Sequence, residues 1–369
     1  MTGQEFLQRL EMALASLTDS QKQEVMAYFK EYLAEAGDNA EAIAELGKPE
    51  EVAEELVGQF QEKGILEERA QEQIVRQSLT DATNLQITLN DFDVIVEQDD
   101  VSEVVVEAVE EVQELLAISR ENGQVTIAQI SDPARYKTIS ILGLFSIKTT
   151  YGGRFTVKVP RETMFETITV ISRDGDATLS GLTANQGNVA LTNGDLELNS
   201  CRIANLKLTL QNGDGEVVNS ATENVLGNFQ NGDCEVINSQ LGVAEFHLAN
   251  GDLELEKVES RETLALELSN GDLTYRYSKA DYARAKLSNG DATVSDLDFK
   301  DLMLTHHCGD AAVILKEGQA EDLAIVVETK FGDYSVLGHT GENGRYTDTN
   351  HQATRRLTIT NHFGDVSVN

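Results

Sequence analysis

The residues with the clearest potential for chemistry are aspartates that recur at a nearly constant spacing. Each follows an Asn-Gly pair, and the six strict copies are Asp195, Asp214, Asp233, Asp252, Asp272 and Asp291. Carboxylate oxygens are the ligands that Ca²⁺ prefers, so such a column suggests a calcium site. However, one aspartate every 19 or 20 residues supplies few ligands, and an aspartate in a turn commonly accepts backbone N–H groups instead. The pattern therefore favours turn capping, and the six aspartates remain only secondary metal candidates.

Ligands for softer metals come together at one place in the sequence, His306-His307-Cys308-x-Asp310. Zinc prefers histidine and cysteine in a tetrahedral arrangement. In an extended strand, however, His306 and Cys308 point to one face and His307 points to the other. We therefore do not expect these residues to converge on one ion.

No residue pattern in this sequence indicates catalysis. The chain contains three cysteines, Cys201, Cys234 and Cys308, and no pair has CxxC spacing. We expect buried structural thiols in a reducing compartment rather than disulfides or nucleophiles. Neither a glycine-rich phosphate loop nor a serine elbow is present. We expect no enzymatic activity, no catalytic residue and no cofactor.

The aspartates belong to a repeated phrase, polar–Asn–Gly–Asp–apolar, that sets the architecture. Its strict glycines follow one another at steps of 19, 19, 19, 20 and 19 residues, and they are Gly194, Gly213, Gly232, Gly251, Gly271 and Gly290. Degenerate copies centre on Gly175, Gly309, Gly332 and Gly364. A fixed period of this length indicates one structural unit stacked on copies of itself. The sequence predicts a single-stranded parallel β-helix, or β-solenoid, with about 19 residues per turn.

Strand alternation predicts a position for each residue of the phrase. Leu206, Leu208 and Leu210 share one face, and Asn212 is in phase with them. The same phase predicts an inward, stacked amide ladder of Asn193, Asn212, Asn231, Asn250, Asn270 and Asn289. Glycine is predicted at the corner, in a conformation that other residues resist, and aspartate faces outward. Near the C-terminus the ladder position changes to Cys308, Phe331 and Phe363.

The N-terminal part of the chain has helical periodicity instead. Phe6, Leu10 and Leu14 recur at helical spacing, and a capping-box pattern begins at Thr18. Pro49 suits the first turn of a later helix. The segments that carry a family resemblance are Phe6-Leu-x-x-Leu10, Tyr28-Phe-x-x-Tyr32 and Ala44-Glu-Leu-Gly-Lys-Pro-Glu-Glu-Val-Ala53. They resemble the HAAS domain over about residues 1–60, which implies a small bacterial helical module that acts in signalling.

These patterns together predict an α+β multidomain chain with a small helical bundle ahead of the solenoid. We expect a HAAS-like bundle at residues 1–62 and a helical connector at 63–84. A β-rich opening region of the solenoid follows at 85–165, and the repeat solenoid with Asn-Gly-Asp corners occupies 166–369. The strand Val157-Lys-Val-Pro160, followed by the repeated phrase, is similar to a bacterial "putative adhesin" family over about residues 85–369. That resemblance implies a β-solenoid of unknown function.

The charge balance limits the partners. With 63 acidic and 29 basic residues, the formal net charge is −34, so nucleic acid and anionic lipid surfaces would be repelled. Cations or basic protein surfaces are the better electrostatic match. No apolar run reaches the roughly 18 residues that a spanning helix needs, and no secretory signal is visible. We expect a cytoplasmic protein without direct membrane insertion, and association with a membrane or surface through a partner is the alternative.

The functional expectation is a non-enzymatic interaction or scaffold protein in bacterial envelope-related signalling or surface contact. We expect a protein partner to bind the helical head, because a bundle of this size buries little surface by itself. Two alternatives stay open. One is a carbohydrate-binding or carbohydrate-active β-helix. The other is a homo-oligomer formed by end-to-end stacking of solenoids.

Overall fold

The computed structural model describes residues 2–15, 48–62, 74–130, 137–141, 145–149, 153–348 and 350–369, with isolated positions 22, 25, 26, 29, 30, 33 and 46. The chain divides into two compact units. One comprises Met1–Gln73 with Asp132–Tyr151, and the other comprises Ile74–Ser131 with Gly152–Asn369. No helix among the described residues is long and apolar enough to cross a bilayer.

The first unit contains two described helices, Gly3–Ala13 (α1) and Pro49–Glu62 (α2). Thr2 caps α1 in a capping box with Glu5, because the Glu5 N–H donates to Thr2 Oγ1 at 3.1 Å and the Thr2 N–H donates to Glu5 Oε2 at 3.0 Å. The predicted start of a helix at Pro49 is confirmed. The capping box predicted at Thr18 lies outside the described residues. The apolar core of this unit consists of Phe6, Leu10, Leu14, Val25, Met26, Phe29, Leu33, Leu46, Val52, Ala53 and Leu56.

The second unit is built almost entirely of strands, with one short α-helix at Glu110–Gln113 (α3) and one 3₁₀ helix at Gln319–Asp322. The first nine strands of the chain, of which β7 and β8 belong to the first unit, are Ile74–Leu79 (β1), Asn84–Leu89 (β2), Asp93–Asp99 (β3), Val104–Val109 (β4), Leu116–Glu121 (β5), Gln124–Gln129 (β6), Lys137–Ile141 (β7), Phe145–Thr149 (β8) and Arg154–Pro160 (β9). The long strands that follow are Met164–Ser172 (β10), Thr183–Asn193 (β12), Arg202–Asn212 (β14), Ala221–Asn231 (β16), Gln240–Asn250 (β18), Glu259–Asn270 (β20), Lys279–Asn289 (β22), Asp298–Cys308 (β24), Leu323–Phe331 (β26) and Arg355–Phe363 (β30). The short strands are Ala177–Ser180 (β11), Leu196–Asn199 (β13), Gly215–Val218 (β15), Cys234–Ile237 (β17), Leu253–Glu256 (β19), Leu273–Arg276 (β21), Ala292–Ser295 (β23), Ala311–Ile314 (β25), Asp333–Val336 (β27), His339–Glu342 (β28), Arg345–Asp348 (β29) and Val366–Val368 (β31).

The strands of the second unit form two facing sheets around one apolar core, whereas β7 and β8 of the first unit pair with each other in a separate sheet. In each regular repeat a long strand joins the long-strand sheet (β10, β12 and onward) and the next short strand joins the short-strand sheet (β11, β13 and onward). Equivalent strands pair in parallel, as Leu196 with Gly215 and Leu206 with Val225 show. Alternate residues such as Leu208, Leu253 and Leu255 point between the sheets and are buried. A large β unit with stacked parallel strands follows the helices, as predicted.

Both ends of the stack depart from chain order. At the C-terminal end, β30 and β31 lie between the regular turns and the earlier strands β26 and β27. At the other end, β2 and β3 pair with the regular turns, and β6 and β9 lie outside them. Antiparallel strands then cover the edges, with β4, β1 and β5 at one end and β28 and β29 at the other. Since an unpaired edge attracts further strands, these additions cap the solenoid.

The helical connector predicted at residues 63–84 is wrong over Ile74–Leu79. These residues form β1, which pairs with β4 so that Leu79 lies opposite Val104. Pairing with an existing sheet edge satisfies the backbone hydrogen-bonding groups along the whole segment. This gain outweighs the helix propensity of the charged residues nearby. Residues 63–73 lie outside the described part of the chain.

The asparagine ladder exists, but its predicted inward position is wrong. Asn212 donates from Nδ2 to Asn193 Oδ1 at 2.8 Å, and Asn231 donates to Asn212 Oδ1 at 2.8 Å. The same bond links Asn250, Asn270 and Asn289 to the amide before each of them. All six side chains are exposed. The reason is that strand alternation stops where the chain bends, so the last residue of each long strand lies outside the core.

The glycine of the corner is fixed by the neighbouring turn. Gly251 has φ +145°, and a Cβ there would lie 2.0 Å from the carbonyl oxygen of Gly232. Only a residue without a side chain allows the backbones of successive turns to approach this closely. The second corner uses a left-handed residue such as Asn219 (φ 52°). Buried Ser220 follows it, and its Oγ accepts the Cys201 N–H at 3.0 Å.

We expect Asn231→Ala to lower the free energy of unfolding by about 1 kcal/mol, because it removes two ladder hydrogen bonds that water replaces in part. Urea unfolding followed by circular dichroism measures this change. Gln230→Ala is the matched control, since Gln230 is the exposed neighbour on the same strand and contributes no side chain to the ladder. Equal losses in the two variants would show that the amide ladder adds no stability.

Candidate interaction surface

The aspartate column runs along the corner beside the short-strand sheet. Each carboxylate binds the backbone of the next turn, since the Asp214 N–H donates to Asp195 Oδ1 at 2.8 Å and the Asp233 N–H donates to Asp214 Oδ1 at 2.7 Å. The hydrogen-bonded series, in spatial order, is Asp93, Asp176, Asp195, Asp214, Asp233, Asp252, Asp272, Asp291, Asp310, Asp365 and Asp333. The side chains of the repeat aspartates are exposed, and the carboxylates cap backbone donors of the turn above.

The capping role uses one oxygen of each carboxylate and leaves the other available at the surface. Successive aspartates are separated by about the spacing of neighbouring strands, roughly 4.7–4.9 Å. Within the described parts of the chain, no three His, Cys, Asp or Glu side chains come close enough together to hold a metal ion. What the column presents is an extended line of negative charge.

A second acidic row runs parallel to this column on the face of the short-strand sheet. Glu197 pairs in register with Glu216, Glu216 with Glu235, and Glu235 with Glu254. The column and the row border a groove of about 480 Å³ whose charged lining residues are Asp176, Asp195, Asp214, Asp233, Glu197, Glu216 and Glu235. We call this feature the acidic groove. Its described lining contains no basic residue.

The acidic row ends at a basic side chain. Arg276 donates from Nε and Nη2 to Glu256 Oε2 at 3.1 and 2.9 Å, and it also contacts Glu254. Hydrogen bonding to Glu256 is the main cause that raises the pKa of Arg276. The acidic row is therefore neutralised on one side only, and the acidic groove keeps its charge towards the N-terminal turns.

Like charges alter the titration of the row. Desolvation raises the pKa of Glu235, and the neighbouring carboxylates of Glu254 and Glu216 raise it further. The folded chain therefore holds this proton more tightly than the unfolded chain does. The resulting stability is present at acidic pH and is lost as the pH rises through the raised pKa. Ionised Glu235 is thus a strained feature of the surface at neutral pH.

We expect Glu235→Gln to raise the free energy of unfolding near neutral pH, because glutamine lacks the charge that burial and repulsion oppose. The gain should disappear below about pH 4, where the glutamate is itself protonated in both states. Urea midpoints measured across this pH range test the prediction. Glu223→Gln, an exposed position outside the acidic groove, is the control. A gain that is independent of pH would rule out the titration of Glu235 as its cause.

The long-strand sheet carries a groove of a different kind. It measures about 450 Å³, and its polar lining includes Gln186, Asn188, Asn205 and Asn224. Asn224 donates from Nδ2 to Asn205 Oδ1 at 2.9 Å, and Asn205 donates to the Asn185 carbonyl oxygen at 3.2 Å. This second amide ladder leaves a hydrogen-bonding surface, and Lys207 and Glu245 add one charge of each sign to the groove lining. These amides lie outside the repeated phrase, so the sequence patterns do not predict this ladder.

The predicted burial of Cys201 and Cys234 is confirmed, but that of Cys308 is wrong, because this residue ends its long strand at the bend and is only half-buried. Cys201 and Cys234 are buried free thiols, and burial raises the pKa of Cys201 to about 11 and raises that of Cys234 as well. Thiols of high pKa are poor nucleophiles. His306 points inward, with Nε2 at 2.5 Å from the Gly290 carbonyl oxygen, and His307 points outward.

His307 has a partner that no pattern in the sequence indicates. Its Nδ1 lies 3.3 Å from Nδ1 of His362, which is 55 residues later in the chain. Beside this pair the ladder position continues through Cys308, Phe363 and Phe331, in that spatial order. The two phenylalanine rings stack at 5.0 Å and both are exposed. Only the insertion of β30 between β24 and β26 brings His362 to this place, and no local pattern encodes that insertion.

Comparison with protein families gives two matches. The family model described as Toastrack DUF4097 matches residues 82–240 and again 213–369. The HAAS model matches residues 5–55. A comparison with curated proteins gives no significant match.

Solved structures of bacterial proteins are similar over most of the chain. A "putative adhesin" of Parabacteroides distasonis has 12% identity and a TM-score of 0.42, with 80% of this chain and 96% of that chain covered. A "putative lipid binding protein" of the same species has 12% identity and a TM-score of 0.39, with the same coverage. A "putative adhesin" of Parabacteroides merdae has 9% identity and a TM-score of 0.37, covering 80% of this chain and 95% of that one. With TM-scores below 0.5, these likenesses carry no conclusion about function.

Proposed function

The chain belongs to the Toastrack DUF4097 family and carries a HAAS match at its N-terminus, and from this premise we propose a non-enzymatic interaction and scaffold protein of bacterial envelope-related signalling. The proposed partner is a protein with a basic surface. The acidic groove is the observation that carries the proposal. We also take each 19-residue repeat as one turn of a single-stranded β-solenoid, which makes the groove a periodic surface.

The acidic groove fits an extended basic surface better than it fits a small cation. Carboxylates that face one another across a shallow groove attract lysine or arginine side chains over several turns. Each aspartate is already fixed by its bond to the backbone of the next turn, so the partner meets a preorganised line of charge. Burial and, after it, the carboxylates of Glu254 and Glu216 raise the pKa of Glu235, and a partner cation would offset the repulsive part of this shift.

The helical head is proposed as a second docking module. Its core brings Phe6 and Phe29 together with a ring-centroid distance of 5.9 Å, and Arg9 of α1 pairs with Glu50 of α2 at 2.7 Å. A bundle of this size buries little apolar surface and gains stability from a further partner. We propose that the head binds a signalling protein while the acidic groove binds the basic partner.

A pull-down with the full-length chain tests the role of the groove. The bait variant combines Glu197→Gln, Glu216→Gln, Glu235→Gln and Glu254→Gln. The matched control removes the same charge elsewhere, with Glu223→Gln, Glu245→Gln, Glu262→Gln and Glu328→Gln. We expect the wild type and the control to retain a basic partner and the groove variant to lose it. The retained partner should elute when the salt concentration is raised. Equal retention by the groove variant would refute the groove as the binding surface.

We propose that the protein acts in the cytoplasm. Attachment to a membrane or surface through a partner is the alternative. Buried free thiols at Cys201 and Cys234 suit a reducing compartment. Fractionation of cells that express the tagged native protein separates the two cases. Recovery outside the cytoplasm in cells that lack the partner would refute the proposal.

The groove on the long-strand sheet favours a second candidate function, carbohydrate binding. Gln186, Asn205 and Asn224 occupy the same register position on three successive long strands, so their amides form a row, and amides match the hydroxyl groups of a glycan. A glycan array with wild type and Asn224→Ala tests it. Binding that the substitution abolishes would support this function, and an array without signal would remove it.

A further inference from the structure

We propose that His307 and His362 form a binding site for a divalent transition metal ion, with Zn²⁺ as the reference ion. The pair lies on the outward face of the long-strand sheet near its C-terminal end and is separate from the acidic groove. The proposal does not depend on the proposed function. It rests on the register, distance and surroundings of the two imidazoles.

The register of the strands holds the two histidines opposite each other. In the parallel pair β24 and β30, His306 lies opposite Asn361 and Cys308 lies opposite Phe363. His307 and His362 are therefore direct neighbours on the same outward face. Their ring centroids are 5.2 Å apart. Because both strands continue on either side through the sheet, the positions of the two residues are set before any ligand arrives.

The distance between the two Nδ1 atoms fits coordination to one metal ion better than it fits a hydrogen bond. The two Nδ1 atoms are 3.3 Å apart. Two nitrogen ligands at about 2.0–2.1 Å from a tetrahedral zinc ion are separated by about 3.3–3.4 Å. A hydrogen bond between nitrogen atoms at this distance is long and weak. An ion between the rings would bind both nitrogens with little movement of either side chain.

The surroundings restrict the motion of the rings and leave coordination positions open. Phe363 contacts His307 edge-on, with ring centroids 5.7 Å apart, and Phe331 stacks on Phe363. On the buried side of the same strand, His306 is anchored to the Gly290 carbonyl oxygen. Over the described residues no third His, Cys, Asp or Glu completes a cluster. Water or an incoming ligand would therefore occupy the remaining positions.

The chemistry of the pair selects the ion. Neutral imidazole suits Zn²⁺, Ni²⁺ and Cu²⁺, whereas Mg²⁺ and Ca²⁺ prefer oxygen ligands. The acidic surface of this protein attracts all of these ions weakly, so selectivity is the property that distinguishes the histidine site.

Titration of untagged full-length protein with Zn²⁺ by calorimetry, in the presence of excess Mg²⁺ to occupy carboxylates, tests the site. We expect one Zn²⁺ per chain. His307→Gln and His362→Gln, which keep polar side chains of similar size, should each weaken binding by more than about tenfold. His247→Gln is the control, because His247 lies on the same sheet and contacts Glu245 and Glu267 instead. Circular dichroism establishes that each variant is folded.

The outcomes separate cleanly. Loss of the site in both variants, with binding kept in His247→Gln, supports the proposal. Unchanged binding in either His307→Gln or His362→Gln overturns it, because a paired site needs both rings. Absence of Mg²⁺-resistant Zn²⁺ binding in the wild type also overturns it.

Discussion

Replacement of Gly251 by alanine should lower the free energy of unfolding by about 3 kcal/mol or more. The new Cβ would lie 2.0 Å from the Gly232 carbonyl oxygen and 2.6 Å from its carbonyl carbon. Both atoms are backbone of the neighbouring turn, which parallel pairing holds in place on both sides. The φ of +145° adds strain that an alanine side chain cannot avoid. The stack must therefore separate locally, which breaks ladder and backbone hydrogen bonds at the same corner.

Gly338→Ala separates the two causes of this loss. Gly338 has φ +82°, and nothing lies within 4 Å of a Cβ built there. Its loss should be only the left-handed strain, about 1–2 kcal/mol. Urea unfolding followed by circular dichroism compares the two variants, and the tyrosines provide a second signal. If Gly251→Ala costs no more than Gly338→Ala, the close approach of successive turns does not require glycine.

The corner shows how far the sequence predicts this fold. A repeated Asn-Gly-Asp phrase with leucines in alternating positions is enough to predict stacked parallel strands, a glycine at the corner and outward aspartates. The phrase fails to predict where Asn212 points, because alternation is a property of straight strands and the chain bends at that residue. It also fails to reveal that each aspartate caps the following turn rather than its own.

The ends of the stack could not be predicted because they depend on contacts between distant segments. His307 meets His362 only because β30 enters the sheet between β24 and β26, out of chain order. Similarly, Ile74–Leu79 become a strand because an edge of the sheet is available to pair with them. The acidic groove could be predicted from the sequence only in part. Glu197, Glu216 and Glu235 recur at the repeat spacing, yet their adjacency becomes visible only once the turns are aligned.

Removal of the C-terminal cap should convert the protein into a self-associating one. Deletion of residues 339–348 removes β28 and β29, the two edge strands that pair antiparallel with β27 and β26 and cover them. Both edge strands are polar and mostly exposed, so their outer edges do not favour further pairing. The strands beneath it are apolar on their inner face, with Ile325 and Val327 buried. Once uncovered, parallel edges of both sheets would present unpaired N–H and C=O groups to a second copy.

Light scattering across a concentration series measures the association. We expect the full chain to remain at one mass and the deletion variant to grow with concentration. A variant in which a flexible Gly-Ser segment of equal length replaces residues 339–348 is the matched control for chain connectivity, because it lacks strand pairing but restores length. It should associate as the deletion does, since the covering strands and not the connection protect the edge. If both variants keep a single mass at every concentration, edge protection does not explain the two covering strands. If the full chain itself associates, end-to-end stacking of intact solenoids becomes the better account of this architecture, because the cap would then permit the contact that its polar strands are proposed to prevent.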